Sequence, residues 1–501
     1  MLSRIAARHT LLAGGGASTM AAKMLVARFA TSSVFQKAAE KEKVIILGAA
    51  GRDFHDFLTY WSKQPNVEVK CFTETQIPGI DNRHFPAEMC NNHLNDNLYK
   101  NGLDIYPEAS LEELIKRFEA DTCSLAYSDL PYDTVQSLAS RVNAAGCKFV
   151  QLSPKMTQVE SSKPVVAVVA SRTGVGKSQT TRYVANYYKN KGLKVAVARH
   201  PMPYDSDINS QRCQRYEVME DMDKYRCTIE EREEYFRHIE DGNLLFAGVD
   251  YEMILRQAEK EADIVIWDGG NNDCSFFKPD LTITLVDSLR PTDELHYYPG
   301  ETNVRMADAV LVTKTNELKD MQHAHDHAAH LKTLVNCPVF FGKSVILPEA
   351  AGLRQSEAIR LVEGKRVLVV DDGPTLTHGG LPFGAGYSMA VKFGASEIVD
   401  PKPFAKGSIK GVFEKFTHLE KVLPAMGYGD EQIKDLEDTI NAVDCDSVVI
   451  GTPSDISHVM DIYHPSVVAR YDLELVPEHV DKFHSMLDSC LDKYEAHHDA
   501  A

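Results

Sequence analysis

The chain has no surplus of positive charge, no closely paired cysteines and no long apolar run, and each lack removes a class of function. A formal charge of −18 over 501 residues argues against nucleic-acid binding, since a phosphate backbone needs an excess of Lys and Arg. A small anionic ligand stays admissible, because it sees only the field of its own pocket. The ten cysteines run from Cys71 to Cys490 without one C-x-x-C pair, which fits reduced, buried thiols and neither a disulfide framework nor a zinc site. No stretch is apolar for long enough to span a bilayer, so no membrane partner is expected. The first forty residues lack acids: none precedes Glu40, while Arg4, Arg8, Lys23, Arg28 and Lys37 are basic and Ser, Thr and Ala abound. That is the composition of a mitochondrial transit peptide over 1–40, with the matrix as destination. Read as an ordinary N-terminus, the same residues would leave the protein cytoplasmic.

The whole chain is 44% apolar, and after the first forty residues it alternates short apolar runs with helical patterns, the signature of parallel sheets covered by helices. The fold class expected is α/β, with three-layer domains and mostly parallel sheets. A Rossmann-like domain is expected over 43–152, a P-loop NTPase domain over 164–345, a C-terminal α/β domain over 365–475 on the substrate side, and an acidic helical tail over 476–501. Strands of the middle domain are expected at 165–170, 194–198, 263–267, 281–286, 309–313 and 338–341. The charge run IEEREEYFR (229–237) reads as a solvated helix face, and 153–164 reads as a linker.

The chemistry concentrates in the middle domain. The loop SRTGVGKS (171–178) follows a buried apolar run and opens a helix, which is the context of a phosphate cradle. Ser171 stands where the usual first glycine would be. Thr173, Gly174, Val175, Gly176, Lys177, Ser178 and Gln179 are the expected nucleotide contacts, with Lys177 as a point charge for the β and γ phosphates and Ser178 as a Mg²⁺ ligand. Asp268 ends the apolar run of ADIVIWDGGNND (262–273) and is the second expected Mg²⁺ ligand. Arg199 and His200, leaving a strand before Pro201, suit a phosphate-bearing substrate or the transferred phosphoryl. Lys314 in VTKTN (312–316) sits where some GTPases read their base, but the Asn and Asp of that motif are missing, so ATP and GTP both stay open. The loop DDGPTLTHGG (371–380) is a second polar, glycine-rich loop at a strand end. It offers Asp372, Thr375, Thr377 and His378 to a substrate.

Two weaker patterns have plainer readings. Gly48 and Gly51 form half of a dinucleotide fingerprint, with Asp53 close by and Glu74 after the next strand, yet a tight turn or anion site outweighs nicotinamide binding. His323, His327 and His330 share a helix face, with His325 beside them, and a solvated histidine-rich helix outweighs a metal site.

Taken together, SRTGVGKS, RHPMPY, EEREEY, AGVDYE, WDGGNND, YYPGETN, DGPTLTHGG, LPAMGY and GTPSD make the chain from Val44 to Tyr471 resemble the cyclic 2,3-diphosphoglycerate synthetase family. The loop is also similar to those of SIMIBI-class P-loop proteins, with Arg172 in place of their signature lysine. The resemblance implies an ATP- and Mg²⁺-dependent ligase that closes a phosphoanhydride within 2,3-bisphosphoglycerate, a small phosphorylated metabolite, and releases ADP and phosphate. It assigns charge neutralisation to Lys177, Arg199 and Arg172, the last reaching across a homodimer, metal to Ser178 and Asp268, and glycerate contacts to His200 and the 372–378 loop. The alternative class is a nucleotide-hydrolysing switch or metal-insertion chaperone, as SIMIBI relatives include both.

Overall fold

The computed structural model describes residues 41–49, 51–75, 83–90, 98–200, 208–270, 273–377, 381–426, 430–452, 456 and 460–498. The expected leader over 1–40 lies outside the described residues, as do His378, the PMPYDSD stretch and Asn271–Asn272. No helix among the described residues is long and apolar enough to cross a membrane.

Two sheets carry the architecture. The first is six-stranded, in the spatial order His84–Phe85, Leu103–Pro107, Val67–Glu74, Glu42–Leu47, Thr122–Leu125, Lys148–Gln151. All its pairings are parallel except the short first edge. Stepping outward to both sides from the first strand is the Rossmann half-order, and it puts the Gly48–Gly51 turn at the carboxyl ends of the strands, where such sheets bind ligands.

The second sheet has thirteen strands and runs through both remaining α/β segments. Its order is Gln214–Tyr216, Leu244–Ala247, Val195–Arg199, Ile264–Asp268, Val165–Ala170, Leu281–Asp287, Ala309–Thr313, Val339–Glu349, Ser466–Leu475, Ser447–Gly451, Arg366–Asp372 and Glu397–Ile398, with Leu423–Ala425 also pairing Arg366–Asp372. The splice is Val339–Glu349. Its first residues pair parallel with Ala309–Thr313, and from Gly342 on it pairs antiparallel with Ser466–Leu475. The sequence pattern ends this strand at 341, where the apolar run stops. It continues because Gly342–Glu349 has an edge of unpaired N–H and C=O groups that the returning strand satisfies. The strands of the phosphate-loop half are buried along their whole length, as in Val165–Ala170 and Leu281–Asp287, because helices cover both faces.

The joints between segments are specific. Leu130–Pro131 of the N-terminal segment pairs antiparallel with Tyr297–Tyr298. The 153–164 segment is tied down: Val159 bridges Phe277 and Ser162 N–H donates to Glu259. The acidic tail forms the helix Val480–His498, which lies against the phosphate-loop helix Lys177–Asn190. There the buried Tyr188 hydroxyl donates to the Leu487 carbonyl at 2.9 Å, and Tyr187 donates to Asp488 at 2.8 Å. Removing one such buried hydrogen bond costs about 1 kcal/mol. Tyr188→Phe is therefore expected to lower the unfolding free energy by that amount, read as a lower urea midpoint at unchanged slope. An unchanged midpoint would show that the tail helix is not part of the cooperative fold.

Candidate functional site

The loop 171–176 leaves the buried strand Val165–Ala170 and turns at Gly174 and Gly176, whose φ angles of 77° and 107° favour glycine. A Cβ on Gly176 would stand 2.5 Å from Gln179 Nε2. The helix that follows starts at Gly176 with no side-chain cap, and the N-terminus of a helix without a capping side chain suits an anion. The loop is pinned from below, where Thr313 Oγ1 donates to the Val175 carbonyl at 2.7 Å.

Arg199 organises the charge beside the loop. Its Nη1 donates to Ser178 Oγ at 3.1 Å and to Asp268 Oδ2, while its Nε donates to Glu234 at 2.9 Å. His238 Nε2 lies 3.2 Å from the same Asp268 oxygen. Burial alone would raise the Asp268 carboxyl. Arg199 and His238, with help from Lys177, hold it down at about 2. Burial lowers the Lys177 ammonium, and the Asp268 charge opposes that shift. The Arg199 guanidinium itself stands between the two expected metal ligands. Asp268 Oδ1 is buried without a hydrogen-bond partner. An orphaned carboxylate oxygen beside a serine hydroxyl is a hard-oxygen donor pair, so Ser178 and Asp268 fit Mg²⁺.

The neighbouring segments close around this centre. Asp129 of the N-terminal segment accepts from Thr173 Oγ1 at 2.7 Å and lies 3.4 Å from Arg172 Nε. Arg172 also donates to Asp293 at 3.1 Å and lies over the Tyr297 ring at 3.5 Å. It is thus engaged within its own chain by two acids and a ring. His200 Nε2 is 3.2 Å from Asp273 and abuts the glycine turn, since a Cβ on Gly51 would overlap its ring. From the C-terminal side, Leu381 comes within 3.8 Å of a Cβ built on Gly174, Ser344 Oγ donates to Gln179 at 3.2 Å, and Asp372 acts electrostatically on Glu234. Thr377 is turned inward to its own helix, its hydroxyl donating to the Gly373 carbonyl. Lys314 donates to Asp287 at 2.8 Å, and Asn316 is engaged on both sides by the Ser344 main chain.

Sequence reasoning missed several of these groups. Glu234 and His238 belong to the helix Ile229–Glu240, read as a solvated face. Glu231 and Tyr235 are buried, at 6% and 1% exposure, and the helix aims acid and imidazole at the strand ends. A charge run carries no mark of which face meets a neighbour. Arg290, which donates to the Thr173 carbonyl at 2.9 Å and to Asp287 at 3.0 Å, had no motif to flag it.

The weaker patterns resolve physically. Asp53 Oδ1 accepts from the Gly51 and Phe54 amides, and Glu74 accepts from Ala49 and Thr75. These acids fill the turn that a dinucleotide phosphate would need. His327 is buried and 3.1 Å from Glu294, while His323 and His325 are exposed and His330 is half-buried, so the helix is solvated along much of its histidine-rich length and packed at His327. Among the described residues no cluster of three or more His, Cys, Asp or Glu could hold a metal.

Because Asp268 is held at about 2 when folded and would titrate at 3.8 when free, the sign of its linkage is fixed. Its stabilisation is complete above about pH 4 and is lost as pH falls toward 2, a total of about 2 kcal/mol. Asp268→Asn is expected to flatten the stability curve across that window, read by urea unfolding at stepped pH. A limb as steep as the wild type's would mean that other carboxylates carry it.

No family model matches the chain. Among curated proteins, the arginine synthetase ArcE of Thermococcus kodakarensis is 50% identical over 437 residues, covering 87% of this chain and 94% of that protein. Solved structures that resemble it include LpxK of Aquifex aeolicus in complex with ATP, at 12% identity over 76% of this chain and 99% of that one, with a TM-score of 0.41. Another is the UDP-N-acetylmuramate:L-alanyl-gamma-D-glutamyl-meso-diaminopimelate ligase of Neisseria meningitides, at 12% identity over 62% and 82% of the two chains, with a TM-score of 0.26. Likeness that slight carries no functional weight, but half of all residues identical across nearly two whole chains does: this protein belongs to the family of arginine synthetase ArcE.

Proposed function

We propose that this protein is an ATP- and Mg²⁺-dependent synthetase that makes arginine from a ureido precursor. The observation that carries the reading is the charge balance around the phosphate loop. Arg172, Arg199, Arg290 and Lys314 are each already paired with one or two of Asp129, Glu234, Asp268, Asp287 and Asp293. A bisphosphate carries several negative charges and would face these acids with few uncommitted cations. A neutral ureido group or a cationic guanidinium meets no such penalty. The name of the half-identical relative supports the same choice.

The chemistry asked of the site is positioning and charge neutralisation. The uncapped amides of 174–178 and Lys177 cradle the β and γ phosphates. Ser178 and Asp268 would hold Mg²⁺, which offsets phosphate charge when bound. Arg199, displaced from Ser178 and Asp268 but kept by Glu234, is left facing the γ-phosphoryl. In balance, the ureido oxygen takes that phosphoryl and ADP leaves. A nitrogen nucleophile then adds to the ureido carbon, and the C–O bond breaks to release phosphate and a proton. Arg172, locked between Asp129 and Asp293, orders the loop against the N-terminal segment and leaves phosphate charge to Lys177 and Arg199.

Cyclisation of 2,3-bisphosphoglycerate is the second reading, favoured by the motifs at 199–204, 267–273 and 372–380. It uses the same loop, so one assay separates the two. Phosphate release by the full chain with MgATP is measured with citrulline plus ammonium, with 2,3-bisphosphoglycerate, and with neither. We expect stimulation by the first pair, arginine as product, and a loss of about 10²-fold in Lys177→Ala. Stimulation by the bisphosphate alone would overturn the arginine reading. Release indifferent to every small molecule would overturn both in favour of a switch.

A further inference from the structure

Beside the phosphate site, at the seam between the N-terminal segment and the large sheet, a set of buried polar groups leaves individual atoms without hydrogen-bond partners. Arg52, His55 and Asp56 come from the helix Arg52–Thr59, and Asp273 comes from the rim beyond Asp268. All four are at most 5% exposed. Arg52 lies 3.7 Å from Asp273 Oδ1 and 4.0 Å from Asp56 Oδ2, too far for hydrogen bonds. Accordingly Arg52 Nη1, both Asp56 oxygens, Asp273 Oδ1 and His55 Nε2 have no hydrogen-bond partner. Buried charges left this way cost stability with no structural return.

Their placement is not incidental. The other Asp273 oxygen pairs with His200 Nε2 at 3.2 Å, and His200 directly follows Arg199, whose guanidinium touches Ser178 and Asp268. His200, which pairs with the cluster, is thus one residue along the chain from the phosphate centre. It is also hemmed in by glycine, because a Cβ on Gly270 would stand 2.6 Å from His200 Cβ.

The unmet groups are of both kinds. Arg52 Nη1 is a charged donor. Asp56 and Asp273 offer acceptor oxygens. His55 is kept neutral by burial, which pushes it down to about 3, and is bonded to the Thr157 main chain, so its Nε2 is a further acceptor. A lone cation would leave Arg52 unmet and repelled. A polyanion would be repelled by two carboxylates. One small chemical group satisfies the whole set: an ammonium with three donors beside a carboxylate.

We infer that Arg52, His55, Asp56 and Asp273 form the binding site for the α-ammonium and α-carboxylate of the amino-acid substrate. The carboxylate lies on Arg52, and the ammonium lies among Asp56, Asp273 and His55 Nε2. This inference rests on the proposed function in taking an amino acid as substrate, and it adds where that molecule is gripped. Asp56, pushed up to about 7 by burial with Arg52 only partly offsetting it, is short of donors in the way an empty ammonium site should be. Since the cluster is closed, the seam between the two segments must part for the ligand to enter. With its headgroup held here, the side chain of the amino acid extends past His200 toward the phosphate centre.

The test is calorimetric titration of the full chain with L-arginine, with decarboxylated arginine and with Nα-acetylarginine, repeated on Asp56→Asn and Arg52→Gln. We expect both analogues to bind wild type at least tenfold more weakly than arginine, and both variants to weaken arginine at least tenfold. Asp56→Asn should melt no lower than wild type without ligand, because it removes an unmet buried charge, whereas a structural ion pair would melt lower. Analogues that bind wild type as well as arginine, or variants that bind arginine undiminished, overturn the site and leave the arginine reading standing. If arginine does not bind but another α-amino acid does, and Asp56→Asn weakens it tenfold, the site stands and the arginine reading falls. Absence of binding by arginine, citrulline and the remaining common amino acids overturns the site. The analogue series needs no variant, so it decides the matter even if a substitution fails to fold.

Discussion

A single buried guanidinium holds the centre of this protein. Arg199 sits at the end of the third strand of the large sheet, where Asp268 of the next strand is fully buried. Neither charge would be tolerable alone in that position. Paired, and joined by Glu234 and His238 from the helix above, they become a fixed charged platform beside the phosphate loop. Ser178 is drawn onto the same nitrogen, so the platform also sets the first turn of the loop helix. The low titration of the buried Asp268 and the placing of Ser178 beside it both follow from that one arrangement.

The site is a junction. The loop belongs to the middle of the sheet, but Thr173 and Arg172 are held by Asp129 from one side, and Gly174 and Gln179 are approached by Leu381 and Ser344 from the other. Close approach explains why glycine stands at 51 and 270, where His200 leaves no room for a Cβ. Acids near the loop are spent on fixing arginines in place.

Much of the chemistry was legible before any coordinates. The strand–loop–helix context of SRTGVGKS and the terminal acid of the run ending at Asp268 are local patterns, and they met in space because adjacent parallel strands bring their carboxyl ends to one edge. The strands Val165–Ala170 and Ala309–Thr313 were readable to the residue, because full burial on both faces leaves an uninterrupted apolar run. The edge strands Gln214–Tyr216 and Leu244–Ala247 were not, since short strands near an edge carry little of that signal. The motifs describe the loops around the strand ends better than the charges that surround them, since Glu234, His238 and Arg290 lie outside the motif positions read for chemistry.

What the sequence by itself determined is the set of devices that depend on near neighbours: the phosphate loop, the acid-ended strand, the alternation that demands an α/β fold. Tertiary structure alone decided which charges face one another. Glu234 reached Arg199 from 35 positions away, and Asp129 reached Thr173 from 44. Arg52 was brought to Asp273 from a separate sheet, and a strand with no terminal signal spliced two sheets into one. The physical reason is range. Backbone conformation and burial periodicity are written within a few residues, whereas an ion pair is specified only by two positions whose meeting the whole fold must arrange.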